Sequence, residues 1–438
     1  MNVLIDSCSY TCQNVGDLAM LTVAVARLRE LSPTATIHVL TSAPHLVARH
    51  CGDVVTVPVE GRRQFLAEHL LGRANRWLSA PAWHRLEDSL RFSQPQFFSA
   101  SAGLKRRLRG RTSDSAAAAM DAFVDAVRAA DLLVVSGAGI LNDAFPEHTL
   151  GILATIDLAV RRGIPAALVG QGIGPLDLPV LRQRAARVLP RATLIAVRES
   201  RSSVPILQSL GVDPTRIEVT GDDAIQLAMA GTRGAETSRA DLPTAIGVNL
   251  RVASYAGVEP GLIAPVRNTL ASASAEHGAR LIGIPIAHHN AGMDLDTLRG
   301  LVDDEDIRAL DTPRAVIERV AQCRVVVTGS YHGAVFALAQ GILAVALVKS
   351  RYYEAKMAGV AEQFGRGCEL VRLDDADLPR ALGAAIDRAW DSAEAVAQPL
   401  RLAAAEQVRR GRAAFARLMA SARTEDQSRG RALAASSL

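Results

Sequence analysis

Ala166-Ala167-Leu168-Val169-Gly170-Gln171-Gly172-Ile173-Gly174-Pro175 is a short apolar run that breaks into a glycine-rich turn. Four apolar residues are too few for a helix and suit a strand buried on both faces. Upstream, a helical pattern covers roughly 149–162. Before it, Asp131-Leu132-Leu133-Val134-Val135 runs into a second turn, Ser136-Gly137-Ala138-Gly139. Downstream come a helix near 178–190, the strand Leu194-Ile195-Ala196-Val197 and then Arg198-Glu199-Ser200. A helix over 201–210 and the strand Ile217-Glu218-Val219-Thr220 lead to Gly221-Asp222-Asp223. The N-terminus has the same grammar: a strand at Val3-Leu4-Ile5, a polar loop to Asp17, a helix ending near Ser32-Pro33, and a strand at Ile37-His38-Val39-Leu40. Strand, loop, helix, strand is the signature of a parallel sheet. In such a sheet the polar loops at the carboxyl ends of the strands receive ligands.

A second series starts at Ala245-Ile246-Gly247-Val248-Asn249-Leu250. It continues through Arg280–Pro285, Val325–Thr328 and Leu343–Leu347. Between the two series, 231–243 is rich in Gly, Ser, Thr and charge and reads as a linker. The expected organisation is therefore an N-terminal domain over 1–230, a C-terminal domain over 244–395, and a closing helix and tail over 396–438. A length of 438 residues suits two such cores. The expected fold class is α/β, with two Rossmann-like domains facing a central cleft, as in the GT-B architecture.

Hydrophobic content is 49%, which fits a folded chain, and a net charge of +4 gives no global case for a nucleic-acid partner. The five cysteines, at 8, 12, 51, 323 and 368, are irregularly spaced and odd in number, which argues for a reducing cytoplasm. Cys8 and Cys12 lack further ligands nearby, so no metal site is expected. The N-terminus carries no basic, apolar leader, and no run reaches the length of a membrane span. Residues 61–111 break the alternation. They hold eleven Arg/Lys against three Asp/Glu, a local net of +8, together with Trp77 and Trp83. That composition predicts a helical insertion. Its basic side is either a solvated face or a surface for anionic acceptors or for the anionic inner face of a membrane.

Three groups of residues carry a resemblance. The first is Asn14-Val15-Gly16-Asp17 after the first strand, where Asp17 is placed to cap the helix. The second is Ser136-Gly137-Ala138-Gly139, with Asn142 just beyond, together with Gln171-Gly172-Ile173-Gly174-Pro175. The third is Thr328-Gly329-Ser330-Tyr331-His332-Gly333-Ala334-Val335-Phe336-Ala337, followed by Tyr352-Tyr353-Glu354-Ala355-Lys356. Together they resemble the polysaccharide pyruvyl transferase family over most of residues 1–365. The resemblance implies transfer of a pyruvyl group from phosphoenolpyruvate to a sugar or lipid-linked glycan acceptor, with no cofactor. One residue departs from the pattern. Where the family carries arginine two residues before the histidine, this chain has Ser330. Either Arg251, Arg351 or Lys356 takes its place on the donor anion, or the donor or the activity differs.

The chemistry implied needs cations for a carboxylate and a phosphate, and an acid/base group near neutral pH. His332, at the junction of strand and helix, is the first catalytic candidate, with Arg198 and Asp17 beside it. Asn14, Gly16, Gly137, Gly139, Asn142, Gln171, Gly172, Asn249, Arg251, His288, Ser330, Tyr331, Gly333 and Lys356 are the binding candidates. Lys356 is one of only three lysines, with Lys105 and Lys349. Gly333 suits a backbone N–H site at the start of a helix. Adjacent His288 and His289 diverge on any regular backbone and do not form a metal pair. The competing readings are a glycosyltransferase using a nucleotide sugar in the same cleft, and a binding protein without turnover. No phosphate-binding G-x-x-x-x-G-K-[ST] or dinucleotide G-x-G-x-x-G motif is present.

Overall fold

The computed structural model describes residues 1–70, 81–108, 114–230, 244–252, 257–288, 294–303 and 310–436. Strands β1 (Asn2–Asp6), β2 (Thr36–Thr41), β3 (Val55–Pro58), β4 (Leu132–Val135), β5 (Ala166–Gln171), β6 (Leu194–Val197) and β7 (Ile217–Val219) form one sheet in the order β3-β2-β1-β4-β5-β6-β7. Strands β8 (Ala245–Asn249), β9 (Arg280–Gly283), β10 (Cys323–Thr328), β11 (Leu343–Val348) and β12 (Cys368–Arg372) form a second, in the order β12-β11-β10-β8-β9. Every pairing in both sheets is parallel. The architecture is two Rossmann-like domains of the GT-B kind. The strand order reverses between β1 and β4 in the first sheet and between β8 and β10 in the second. A crevice opens at the carboxyl ends of the strands at each such reversal.

The inner strands β4, β5, β8 and β11 are buried along their whole length, which is why they read as unbroken apolar runs. The helix Val15–Leu31 explains how the crevices are held face to face. Its first turn is tied to the second domain: the Val15 N–H bonds Ile286 O at 2.9 Å, and the His288 N–H bonds Gln13 O at 2.8 Å. Val15, Ala19 and Met20 join the core of the second domain, whereas Leu18, Leu21, Ala24 and Leu28 join that of the first.

The closing helix is longer than the sequence suggested. It starts at Leu378 rather than near 396 and runs to Ser436. Leu382, Ile386 and Leu400 pack in the second domain, and Phe415, Leu418 and Met419 pack against the first. One helix therefore straps both.

The insertion is helical, with helices Val59–Ala67, Pro81–Ser93, Pro95–Leu108 and Asp114–Ala129. Its basic residues are not simply a solvated face. Arg62 and Arg91 are buried. Lys105 and Arg106 both bond Glu68, at 3.0 and 2.7 Å. Trp77, the side chain of Trp83, the linker 231–243 and His289 lie outside the described residues. No described helix is long and apolar enough to cross a membrane.

Candidate functional site

The two reversals meet at a cavity of about 370 Å³. Cys8 to Thr11, Asn14 and Asp17 reach it from the loop after β1. Arg63 reaches it from the helix after β3, and Gly139, Ile140, Phe145 and His148 from the segment after β4. Opposite them stand Arg251 after β8, Ser330, Tyr331 and His332 after β10, and Tyr352, Tyr353 and Lys356 after β11. Every wall is thus built from carboxyl ends of parallel strands.

Asn14, not Asp17, caps the first helix: its Oδ1 accepts from the Gly16 and Asp17 N–H groups at 3.0 and 3.3 Å. Asp17 is left free to face the cavity. His332 crosses from the second domain and lies between two carboxylates of the first. Its Nδ1 is 4.0 Å from Asp17 Oδ1, and its Nε2 is 3.7 Å from Asp222 Oδ2. Those are ion-pair rather than hydrogen-bond distances, and the buried Nε2 makes no hydrogen bond. Burial alone would raise the Asp222 carboxyl. His332, Arg198 and the Ala224 N–H together hold it below its ordinary value.

Arg198 is buried one layer behind the cavity wall. Its guanidinium lies 3.9 Å from the centre of the Tyr331 ring, with Nη1 3.5 Å from Asp222. The glycine turns make room for these cations. A Cβ on Gly172 would fall 2.6 Å from Arg198 Nε, and one on Gly139 would fall 2.5 Å from Arg198 Nη2 and 2.8 Å from Lys356 Nζ.

Lys356 sits among three tyrosine rings, 5.0 Å from Tyr331, 5.2 Å from Tyr352 and 5.7 Å from Tyr353. Its Nζ donates to the Tyr352 hydroxyl at 3.2 Å, and that hydroxyl donates to Gly139 O of the opposite domain at 2.7 Å. Burial, with Arg198 next in weight, lowers the Lys356 amine to about 7. The amine therefore changes charge near neutral pH.

Arg251 reaches the cavity already engaged by Asp294, with Nε to Oδ1 at 2.7 Å and Nη2 to Oδ2 at 3.0 Å. Asn249 does not line the cavity; its Nδ2 holds the same carboxylate at 2.7 Å. Ser330 lines the wall where the family arginine is expected. Arg351 is exposed and does not line it.

Several other candidates also stand outside the cavity. His288 Nε2 lies 2.9 Å from Leu310 O. Gln171 is spent on the turn after β4, donating to Val135 O and Ser136 O at 3.2 and 2.8 Å. Asn142 donates to Gly139 O at 2.6 Å and so shapes the wall from behind. Gly137 and Gly333 are packing positions: a Cβ on the first would meet Met20 Cε at 1.9 Å, and on the second Thr328 Oγ1 at 2.4 Å.

Asp222, Arg63, Tyr10, Phe145 and His148 were not among the expected site residues. The only signal for Asp222 was its place at the end of β7, in Gly221-Asp222-Asp223. Tyr10 belongs to a buried cluster: its hydroxyl donates to Asp6 Oδ1 at 2.8 Å and accepts from Arg62 at 2.6 Å. His148 stacks on the Tyr10 ring, with centroids 5.8 Å apart. In this loop Cys8 and Cys12 take φ of 59° and 54°. The left-handed region is unfavourable for such side chains, and strain of this kind collects at ligand sites.

Comparison with solved structures finds the same fold at low identity. HepE of Anabaena, solved in complex with UDP, superposes with a TM-score of 0.53 at 14% identity, covering 97% of this chain and 99% of that one. The UDP-GlcNAc 2-epimerase of Neisseria meningitidis, bound to UDP-GlcNAc, gives 0.52 at 11% identity, covering 96% and 99%. No curated protein sequence matches. The family model for polysaccharide pyruvyl transferase matches residues 14–348, from the asparagine that caps the first helix to the end of β11. The chain belongs to the polysaccharide pyruvyl transferase family.

Proposed function

We propose that the cavity transfers the pyruvyl group of phosphoenolpyruvate to a sugar of a glycan precursor, forming a pyruvate ketal. The observation that carries this reading is the pairing of Lys356 and Arg251 with His332 on one wall, opposite Asp17. The two cations suit a small ligand with a carboxylate and a phosphate. Lys356, which gains charge readily below pH 7, is the stronger candidate to answer the missing arginine at Ser330, since Arg251 is already paired. Phosphoenolpyruvate needs one proton on its methylene carbon. Two acceptor hydroxyls then add to the adjacent carbon, and the C–O bond to phosphate breaks. The hydroxyls release two protons; one replaces the proton taken up by carbon, and the other leaves with inorganic phosphate. His332 is our candidate to carry a proton between an acceptor hydroxyl and the methylene carbon. Asp17 and Asp222 flank its ring at 4.0 and 3.7 Å, and Arg198 positions Asp222 and Tyr331 from behind.

A nucleotide-sugar donor is the second reading, since the two superposed structures hold UDP or UDP-GlcNAc in this fold. Calorimetry separates the two. Phosphoenolpyruvate should bind the wild type, bind at least about tenfold more weakly to Lys356→Ala, and still bind His332→Ala. Absence of binding at millimolar phosphoenolpyruvate, with binding of UDP or a UDP-sugar, would replace the pyruvyl donor with a nucleotide sugar.

A further inference from the structure

The insertion helix Pro95–Leu108 is apolar on two opposite sides. Phe98 and Ala102 are fully buried, and Phe98 packs edge-on against Phe65 with ring centroids 5.5 Å apart. That contact fixes the inward face. On the outward face Phe97, Leu104 and Leu108 are 60%, 60% and 80% exposed, among the most exposed large apolar side chains described. Their spacing of seven and four residues puts them within about 40° of one another around the helix. Ala100, also exposed, continues the line. A helix with a free apolar stripe opposite its packed face needs a second apolar environment.

Charge says which one. Residues 95–111 hold five Arg/Lys and no Asp/Glu, all after position 104; Lys105 and Arg106 share Glu68, which leaves an excess of positive charge at this end of the helix. An apolar stripe flanked by arginine and lysine is the composition of helices that lie in the interface of anionic bilayers.

We infer that the stripe Phe97–Leu104–Leu108 docks the protein on the surface of an anionic lipid bilayer, with the helix lying along it. The inference does not depend on the donor or on turnover. Glu68 ends the helix Val59–Ala67 and accepts from both Lys105 and Arg106. That helix carries Arg63 into the cavity wall. The bilayer-facing stripe and the cavity rim therefore belong to one helical layer, and a lipid-borne acceptor would arrive on the side of the cavity where Arg63 stands.

The test uses the full chain with sedimenting vesicles, one set of phosphatidylcholine and one of phosphatidylcholine with a quarter phosphatidylglycerol, plus light scattering on the free protein. The expected result is binding to the anionic vesicles, at least about tenfold weaker binding to the neutral ones, and weakening in about 0.5 M salt. Phe97→Ser/Leu104→Ser/Leu108→Ser should lose at least about tenfold in vesicle affinity with its thermal midpoint unchanged, because all three side chains already face solvent. Leu108→Glu alone, at the most exposed position, should weaken binding in the same direction. No binding to anionic vesicles, equal binding to both vesicle types, or unchanged binding by the variants would overturn the inference. So would a wild-type dimer that the triple variant dissociates, since the stripe would then be covered by a second copy.

Discussion

The imidazole of His332 occupies the space that a side chain on Gly16 would need: a Cβ there would fall 2.0 Å from His332 Cγ and 2.1 Å from its Nδ1. The two residues are 316 positions apart and come from different domains. The family-like Asn-x-Gly-Asp turn is therefore one half of the histidine's seat. Gly16→Ala tests this. Alanine is the better helix former by about 1 kcal/mol, so the change does not weaken the helix by propensity. Its methyl must push the ring off Asp17 and Asp222. Turnover should fall by about 10²–10⁴, the usual worth of a positioned acid or base, while the protein stays folded by circular dichroism. Wild-type turnover in Gly16→Ala would mean that the ring position is not used.

Lys356 sets a pH dependence with a definite sign. Its folded amine is lowered to about 7, whereas an unfolded lysine titrates near about 10.4. Between those values the unfolded chain binds the extra proton, so stability should rise with pH across that window. Donor binding runs the other way. A phosphate and a carboxylate favour the charged amine, so affinity should be greatest below pH 7. Above it, affinity should weaken by up to about tenfold per pH unit. Urea unfolding and donor calorimetry from pH 6 to 9 measure the two trends. Lys356→Met should flatten both; a slope that survives this substitution assigns the titration elsewhere.

The alternation of strands and helices was legible because the inner strands of both sheets are buried on two faces. The strands that escaped notice, β3 and β12, are edges. Val55 in β3 is 47% exposed and Pro58 ends the strand, and in β12 only Val371 is buried. His332 and Lys356 were legible from their places after β10 and β11. What could not be read were relationships across the chain. Arg251 looked like a free cation, yet Asp294, 43 residues on, already holds its Nε and Nη2. Gln171 sits in the most distinctive motif and still faces inward, because one strand must buttress the turn of its neighbour. Periodicity reports which face of an element is buried, not which element lies against it.

Arg63 is the residue expected to meet the acceptor. It is exposed on the cavity rim and, among the described residues, has no hydrogen bond or ion pair, unlike its neighbour Arg62. With Tyr10, Phe145 and His148 it offers a cation beside aromatic rings, well away in sequence from Lys356 and His332. Arg63→Ala should raise the acceptor KM by about tenfold, the loss of one charge-assisted contact, and leave phosphoenolpyruvate affinity unchanged. Steady-state kinetics with each substrate varied in turn gives the split. A rise in donor KM instead would place the donor's phosphate at Arg63.

Arg62 has the opposite character, and its loss of a partner should cost stability first. Its guanidinium is buried between Asp6 Oδ2 at 2.5 Å and the Tyr10 hydroxyl at 2.6 Å, with Thr155 Oγ1 at 3.2 Å. Asp6→Ala would leave this charge without a carboxylate in a region closed to water. Breaking a buried pair from one side costs about 3–5 kcal/mol. Removing both charges in Asp6→Leu/Arg62→Met should recover much of that loss, because no orphan charge remains. The double variant should still bind acceptor poorly, since Tyr10 loses both hydroxyl partners at the cavity wall. Urea unfolding of the wild type, Asp6→Leu, Arg62→Met and the double variant completes the cycle and gives the coupling, with Asp6→Ala read beside them. If Asp6→Ala unfolds at the wild-type urea midpoint, the cluster adds nothing to stability, and Arg62 must be kept for the cavity it backs.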